Sequence, residues 1–181
     1  MTQKKETLWI TQTAVCIALL VGLQAATAPL GSTILTGSIV NYLLVVSVML
    51  CGVRSGCIVA VVSPIVAKLF GIGPLWALVP FIMAGNLVLV LLWSLIAKNE
   101  SSRKFFRGAA AVVLSAVGKF LVLYFGIVKL AVPYILKLKG TKANVISMMF
   151  SYPQLLTAVI GGIVAALTLP LLKKAIHTHT A

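Results

Sequence analysis

One lysine stands in the middle of an apolar run that is long enough to cross a lipid bilayer. The run GAAAVVLSAVGKFLVLYFGIVKL extends from Gly108 to Leu130, and Lys119 lies halfway along it. A charged side chain at the centre of a bilayer costs roughly 2.5 to 3.5 kcal/mol on insertion scales, so it persists where something offsets that cost. A desolvated ammonium can pair with an anion or donate to carbonyl and amide oxygens. We therefore treat Lys119 as the first candidate for a binding site.

Four amide side chains are the next polar groups in otherwise apolar segments. They are Gln24, Asn41, Asn86 and Gln154. An amide in hydrocarbon is costly unless it is hydrogen-bonded, and a single one often only holds two helices together. Four amides beside a buried lysine are better explained as the lining of a pocket. Trp76 and Lys68 join them as candidates, although Lys68 and Lys129 lie near the ends of spans, where a long side chain can reach the interface without binding anything.

The composition indicates that a membrane surrounds these residues. Of the 181 residues 61% are hydrophobic and 9% are charged, and the mean hydropathy is +1.13, which a single water-soluble core of this size could not hide. We predict an all-α integral membrane protein, a single domain over 1–181 with six transmembrane helices. The spans are expected near 8–28, 34–53, 56–71, 75–97, 107–131 and 152–172.

Two segments depart from a plain span. The third span is short and contains Pro64, which predicts a break or a tilt. The stretch between the fifth and sixth spans is basic and amphipathic, and its length suits a short interfacial helix or a lid.

The basic residues predict the orientation. Fifteen Lys and Arg face only two acids, Glu6 and Glu100, for a net charge of +13. Because the bases lie mostly between apolar runs, they indicate topology and anionic headgroups rather than a nucleic acid partner. With a cytoplasmic N-terminus nine bases lie inside and three outside. The inside set is Lys4, Lys5, Arg54, Lys98, Arg103, Lys104, Arg107, Lys173 and Lys174, and the outside set is Lys137, Lys139 and Lys142. Both termini are thus predicted to be cytoplasmic, with the loops at 29–33, 71–74 and 133–152 outside.

The sequence lacks the motifs of an enzyme. It has no carboxylate pair, no His-Glu metal motif and no Gly-rich phosphate loop, and His177 and His179 lie in the C-terminal tail. The cysteines, Cys16, Cys51 and Cys57, have no metal-ligand spacing and are interpreted as small core residues. We expect no catalysis, no cofactor and no bound metal. Without a membrane acid or a Walker motif, any active transport would need an external motor.

Three stretches carry a resemblance to a known family. The first helix has small residues at helical spacing, Ala14, Ala18 and Gly22; GIGPLWALVPFIMAGNLVLVLLW leads into the fourth span; and YPQLLTAVIGGIVAALTLPLLKK forms the sixth. With six short spans and termini inside, nearly the whole chain resembles a substrate-binding S component of an energy-coupling factor (ECF) vitamin transporter. The family's AxxxA signature matches Ala14 to Ala18. Small residues four apart let two helices approach closely.

The resemblance implies a mechanism and partners. An S component captures a micronutrient in a pocket near the outer surface, capped by the loop after the first span. It then topples in the membrane against a coupling protein that two ATPase subunits drive. The AxxxA surface meets that coupling protein. The resemblance therefore implies a multi-pass protein of a prokaryotic cell membrane.

The substrate class narrows by exclusion. Members of the family for nickel or cobalt have an N-terminal Met-x-His segment, whereas this chain begins Met1-Thr2-Gln3. A cationic vitamin would favour an acid or an aromatic cage, and the spans contain no acid. A lysine-bearing pocket favours a carboxylate-bearing vitamin such as pantothenate, biotin, folate or lipoate, with a slight preference for pantothenate, or a neutral one such as riboflavin.

Two other classes of function stay open at this point. The chain could be a structural or interaction subunit of the membrane, in which the amides and the lysine stabilise an assembly and bind no ligand. It could also be a self-sufficient carrier or channel for a small solute. A continuous aqueous path is disfavoured, because the inner half of most spans is Val, Leu, Ile and Ala.

Overall fold

A computed structural model describes residues 2–97 and 104–180 of the protein, without the side chains of 2–5, 104, 105 and 176–180. All regular structure within these ranges is helical, which confirms the all-α prediction there. Apolar segments become helices in a membrane because a helix satisfies its own backbone hydrogen bonds where no water is present. The α-helices are α1 Thr2–Thr27, α2 Thr33–Leu69, α3 Val79–Ala97, α4 Lys104–Leu123, α5 Thr141–Met149 and α6 Tyr152–Thr180. Short 3-10 turns occupy Ala28–Leu30 and Trp76–Leu78, and α4 continues as a π-helix over Tyr124–Ile135.

Five helical segments in the described ranges are long and apolar enough to cross a membrane. They are Glu6–Leu30, Thr33–Leu69, Trp76–Ala97, Phe106–Ile135 and Thr141–Ala175. Their outer faces carry large apolar side chains, among them Leu95 at 73% exposure and Leu167 and Leu171 at 70% each. Apolar surface of this extent requires lipid rather than water around it. The protein is therefore embedded in a membrane and crosses it several times.

Helix α2 is bent back on itself at Gly52. Gly52 has φ 88 and ψ 169, a conformation that is not helical and that glycine adopts without the steric cost of a Cβ. A Cβ added at Gly56 would lie 2.6 Å from the Cβ of Val48. In a straight helix these two positions would be about 12 Å apart along the axis. The chain thus forms a hairpin with a first arm, 33–51, and a second arm, 53–69.

Three differences between the helices and the predicted spans lie within the bundle. The second and third predicted spans are the two arms of α2, and the reversal falls at Gly52 rather than between 53 and 56. The second arm runs through Pro64 without ending. The fifth predicted span, which is α4, reaches Ile135 because the chain continues as a π-helix, four residues beyond the predicted end. The predicted loop between spans four and five, with Lys98, Glu100 and Arg103, lies outside the described residues.

Helix α2 occupies the centre of the bundle. It packs against α1, α3 and α6, while α4 packs against α3 and α6. The main apolar core joins both arms of α2 to α3, α4 and α6, with Leu44, Val59 and Trp93 buried in it. Helix α6 approaches the first arm closely at Gly161, where an added Cβ would lie 2.6 Å from the carbonyl oxygen of Ser38. This contact sets α6 against the first arm and aligns the polar side chains described next.

Candidate functional site

Lys119 is held in the middle of the bundle by two amide oxygens. Its side chain is only 3% exposed. The Nζ atom donates to Oδ1 of Asn41 at 2.6 Å and to Oδ1 of Asn86 at 2.7 Å. Of the two acids in the chain, Glu6 lies exposed near the start of α1 and Glu100 lies outside the described residues. The ammonium is therefore solvated by two neutral oxygens and is not neutralised by a carboxylate of the described residues.

Pro64 explains how Asn86 is oriented. In an α-helix the N–H of residue 64 would donate to the carbonyl of Ala60, but proline has no N–H, so that carbonyl is left without its usual partner. The Nδ2 group of Asn86 lies 3.5 Å from this oxygen and donates to it. The amide is thereby fixed with its nitrogen toward the second arm and its oxygen toward Lys119. The proline that predicted a break instead frees a carbonyl for the site.

Asn41 is oriented in the same sense by α6. Its Nδ2 donates to Oγ1 of Thr157 at 3.2 Å, and the Thr157 hydroxyl donates to the carbonyl of Gln154 at 3.1 Å. Gly37 allows this approach, because a Cβ at that position would lie 2.8 Å from Cγ2 of Thr157. Both amides thus turn their oxygens toward the ammonium and their nitrogens away from it. The network joins α2, α3, α4 and α6.

The lysine and its two amides form part of the wall of a cavity of about 390 Å³. This volume lies within the range of small-molecule sites, roughly 300 to 1,000 Å³. The rest of the wall is mostly apolar and comes from the ends of α1 and α2, the 72–74 turn, α3 and the junction of α5 with α6. Apolar contributors include Val40, Pro64, Ile72, Ile82, Leu123, Met149 and Phe150. The cavity therefore lies at the end of the bundle where the segments around 28–33, 72–74 and 149–154 meet.

Six of the seven side chains that the sequence indicates for a pocket line this cavity. They are Lys119, Asn86, Asn41, Gln154, Gln24 and Lys68. Trp76 does not line it: the 3-10 turn that carries Trp76 leaves this side chain 53% exposed. The structure also distinguishes the two lysines near the ends of spans. Lys68 lines the cavity, whereas Lys129 is exposed and its Nζ lies 5.6 Å from the centre of the Tyr124 ring. Whether these residues bind a ligand stays a prediction.

Three residues of the site were not singled out by sequence reasoning as site residues. Thr157 is buried and orients Asn41, Pro64 frees the carbonyl that orients Asn86, and Ser63 lines the cavity beside Pro64. Thr157 lies three positions after Gln154, one helical turn along the same face, which is the signal that could have found it. Ser63 and Thr157 are hydroxyl residues, which are common in transmembrane helices and bond locally. Their types alone therefore carry little information.

The arrangement suits the binding of an anion or of a neutral ligand with several hydrogen-bond acceptors. An ammonium has three N–H donors, and the two contacts with Asn41 and Asn86 use two of them. A second cation, Lys68, lines the same cavity, and no carboxylate of the described residues does. Within the described residues no group of three His, Cys, Asp or Glu is placed to hold a metal ion. The chemistry of the site is thus that of positive charge and amide groups inside an apolar wall.

A second surface lies on α1, away from this cavity. Ala14, Ala18 and Gly22 are exposed and line an apolar groove together with Val66 and Phe70 of the second arm and its end. Because these side chains are small, this face of α1 has few protruding atoms along three successive turns. We refer to this surface as the α1 groove.

The opposite side of α1 is fixed to the hairpin turn of α2. The hydroxyl of Thr13 donates to that of Ser55 at 2.8 Å, and the Sγ atoms of Cys16 and Cys51 are 3.7 Å apart. All three cysteines are free thiols and are partly buried, with Cys57 on the second arm.

Comparison with family models, with curated proteins and with solved structures found no match to the chain.

Proposed function

We propose that the protein is the substrate-capture subunit of an ECF-type importer and binds a small carboxylate-bearing vitamin in the Lys119 cavity. One observation carries this proposal. A buried ammonium, partnered by two neutral amide oxygens and by no carboxylate of the described residues, forms part of the wall of a cavity of about 390 Å³. A lysine with a purely structural role would be expected to pair its charge and its three N–H donors within the protein. Lys119 has no carboxylate partner among the described residues and keeps one N–H donor for a ligand. An anionic ligand would offset the cost of burying the charge.

Delivery is proposed to depend on a membrane coupling protein and two ATPase subunits. The inner half of most spans is Val, Leu, Ile and Ala, and the sequence has no nucleotide-binding loop. The α1 groove supports docking to a coupling protein, because Ala14 and Ala18 are exposed, apolar and four residues apart. These two residues lie outside the cavity lining, so capture and docking would use separate surfaces.

We further propose six crossings with both termini in the cytoplasm of a prokaryotic cell. The hairpin at Gly52 supports two crossings by α2, since each arm is roughly 25 to 28 Å long at 1.5 Å per residue, close to a hydrocarbon core of about 30 Å. The excess of nine bases over three supports the sidedness. With this topology the mouth of the cavity faces outward. Ser101→Cys and Thr141→Cys in a background without native cysteines test it: an impermeant maleimide should label 141 from outside and 101 only after permeabilisation. Labelling of both from one side would contradict the topology.

Binding and uptake measurements separate the proposal from its rivals. The purified protein is titrated with pantothenate, biotin, folate, lipoate and riboflavin, and the ligand that binds is then offered to liposomes that contain the protein alone. We expect one acid to bind without nucleotide and the liposomes not to take it up. Equilibration into the liposomes would favour a self-sufficient carrier. Binding of none of the five would favour a ligand-free structural subunit.

A further inference from the structure

Ser63 carries a buried hydroxyl that has no hydrogen-bond partner among the described residues. The side chain is 1% exposed, and its Oγ atom makes no contact with a donor or an acceptor. Several other buried serines in these helices bond back to their own backbone. Ser47 donates to the carbonyl of Leu44 at 2.8 Å, and Ser94 donates to that of Leu91 at 2.9 Å. Ser63 departs from this local pattern, which is the usual way for a hydroxyl to be satisfied inside a helix.

Ser63 lies next to the network that holds Lys119. The nearest acceptors for Ser63 on its own helix are the carbonyls three and four residues earlier, those of Ala60 and Val59. The carbonyl of Ala60 already accepts from Asn86, which holds Lys119. Ser63 bonds to neither carbonyl, although that of Ala60 keeps a second lone pair, and the residue lines the wall of the cavity. An unpaired hydroxyl removed from water costs free energy, and a ligand with a polar group at this point would recover it.

The position of Ser63 along the second arm relates it to Lys119. Ser63, Pro64, Ala67 and Lys68 line the cavity from this arm. Ser63 lies one turn, about 4.5 Å along the axis, beyond Ala60 in the direction of Lys68 and the mouth. Because Ala60 is linked through Asn86 to the lysine, Ser63 and Lys119 belong to connected parts of the cavity wall.

From this geometry, and resting on the proposed function, we propose that Ser63 binds a second polar group of the ligand. The ligand would then be an acid that carries a hydroxyl, amide or ureido group along its chain, not an acid on a plain hydrocarbon chain. Pantothenate, biotin and folate have such groups. Lipoate, with a carboxylate on an apolar chain that ends in a disulfide ring, does not.

Ser63→Ala tests the inference, with Ser38→Ala as the matched control. Ser38 also has a buried hydroxyl without a partner among the described residues, but it lies on the first arm and does not line the cavity. We expect Ser63→Ala to weaken binding of whichever of pantothenate, biotin or folate the protein takes by about five- to tenfold, the effect of one hydrogen bond. Ser38→Ala should change that affinity less than about twofold.

Thermal unfolding of the ligand-free variants supplies the second measurement. Removing an unpaired buried hydroxyl should leave the Tm of Ser63→Ala unchanged or raise it, because no contact in the free protein is lost. A lower Tm would show that the hydroxyl is structural and would overturn the inference. Equal affinities of the two variants, or a protein that binds lipoate alone, would also overturn it while the proposed function stands. If none of these acids binds to the unmodified protein, the carboxylate-vitamin proposal fails, and this inference fails with it.

Discussion

Replacing Lys119 with methionine keeps the unbranched apolar stem of the side chain and removes its charge. In the proposed complex the ligand's carboxylate loses a desolvated partner, a change that costs on the order of 2 to 5 kcal/mol. This corresponds to a loss of affinity between about 30-fold and several thousand-fold. The dissociation constant of Lys119→Met for the vitamin that the unmodified protein binds should therefore rise by at least about 30-fold.

The folded state should be affected much less. The substitution leaves two amide oxygens, now 2.6 and 2.7 Å from the lysine Nζ, without a donor. Each orphaned oxygen costs about 1 to 3 kcal/mol. Against this, the substitution removes a buried ammonium whose desolvation penalty is itself several kcal/mol. The two effects oppose each other, so the Tm should shift by only a few degrees, about 2 to 4 °C per kcal/mol in a chain of this size.

The assay is a calorimetric titration of detergent-solubilised protein, with a melting curve for each variant. Lys129→Met is the matched control, because it removes a lysine from the continuation of the same helix that is exposed and does not line the cavity. The control should bind as the unmodified protein does. If Lys119→Met folds and binds within about threefold of the original, a difference of roughly 0.65 kcal/mol, then Lys119 is structural and the reasoning for an anionic ligand is refuted.

Three further substitutions test other parts of the account. Asn86→Asp places a carboxylate next to the lysine Nζ, now 2.7 Å from the amide oxygen, so anion affinity should fall at least about tenfold; unchanged affinity in the titration would contradict a role for the charge. Pro64→Ala restores an N–H to the carbonyl that Asn86 uses, so we expect a higher Tm and weaker binding by about three- to tenfold, and equal binding would show that the proline does not position the amide. Ala18→Trp fills the α1 groove and should abolish uptake by the complete importer with binding to the purified protein intact. Leu19→Trp, on an exposed neighbouring position of α1, should transport normally, and equal loss of binding and uptake in Ala18→Trp would mean that the groove is internal packing.

Much of the candidate site follows from the cost of polar groups in hydrocarbon. Lys119 and the amides stand out in the sequence because each must find a partner in an apolar setting, and six of the seven indicated side chains do line one cavity. What could not be predicted is which atoms meet. The contact between Asn41 and Thr157 joins positions 116 apart and depends on Gly37 and Gly161 letting α6 approach the first arm.

The helices were easier to predict than their irregularities. A run of apolar residues predicts a helix because of its backbone hydrogen bonds, whatever its neighbours are. The reversal at Gly52 and the π-helix over Tyr124–Ile135 are local backbone choices that composition does not encode. Trp76 shows the same limit: its place in the outer half of the predicted topology suggested the pocket, but the side chain on the 3-10 turn is 53% exposed and does not line the cavity. Pro64 predicts a break or a tilt because it removes a hydrogen bond within the helix. At the site, its effect is to free the carbonyl of Ala60 for Asn86.

Native mass spectrometry of the protein, released from detergent after incubation with the panel of vitamins, tests the central claim most directly. The account predicts a bound small acid in the unmodified protein, retained in Lys129→Met and lost in Lys119→Met, because the cavity holds its ligand through the buried ammonium. Equal occupancy in Lys119→Met, or a bound molecule that carries a positive charge and no acidic group, would contradict it.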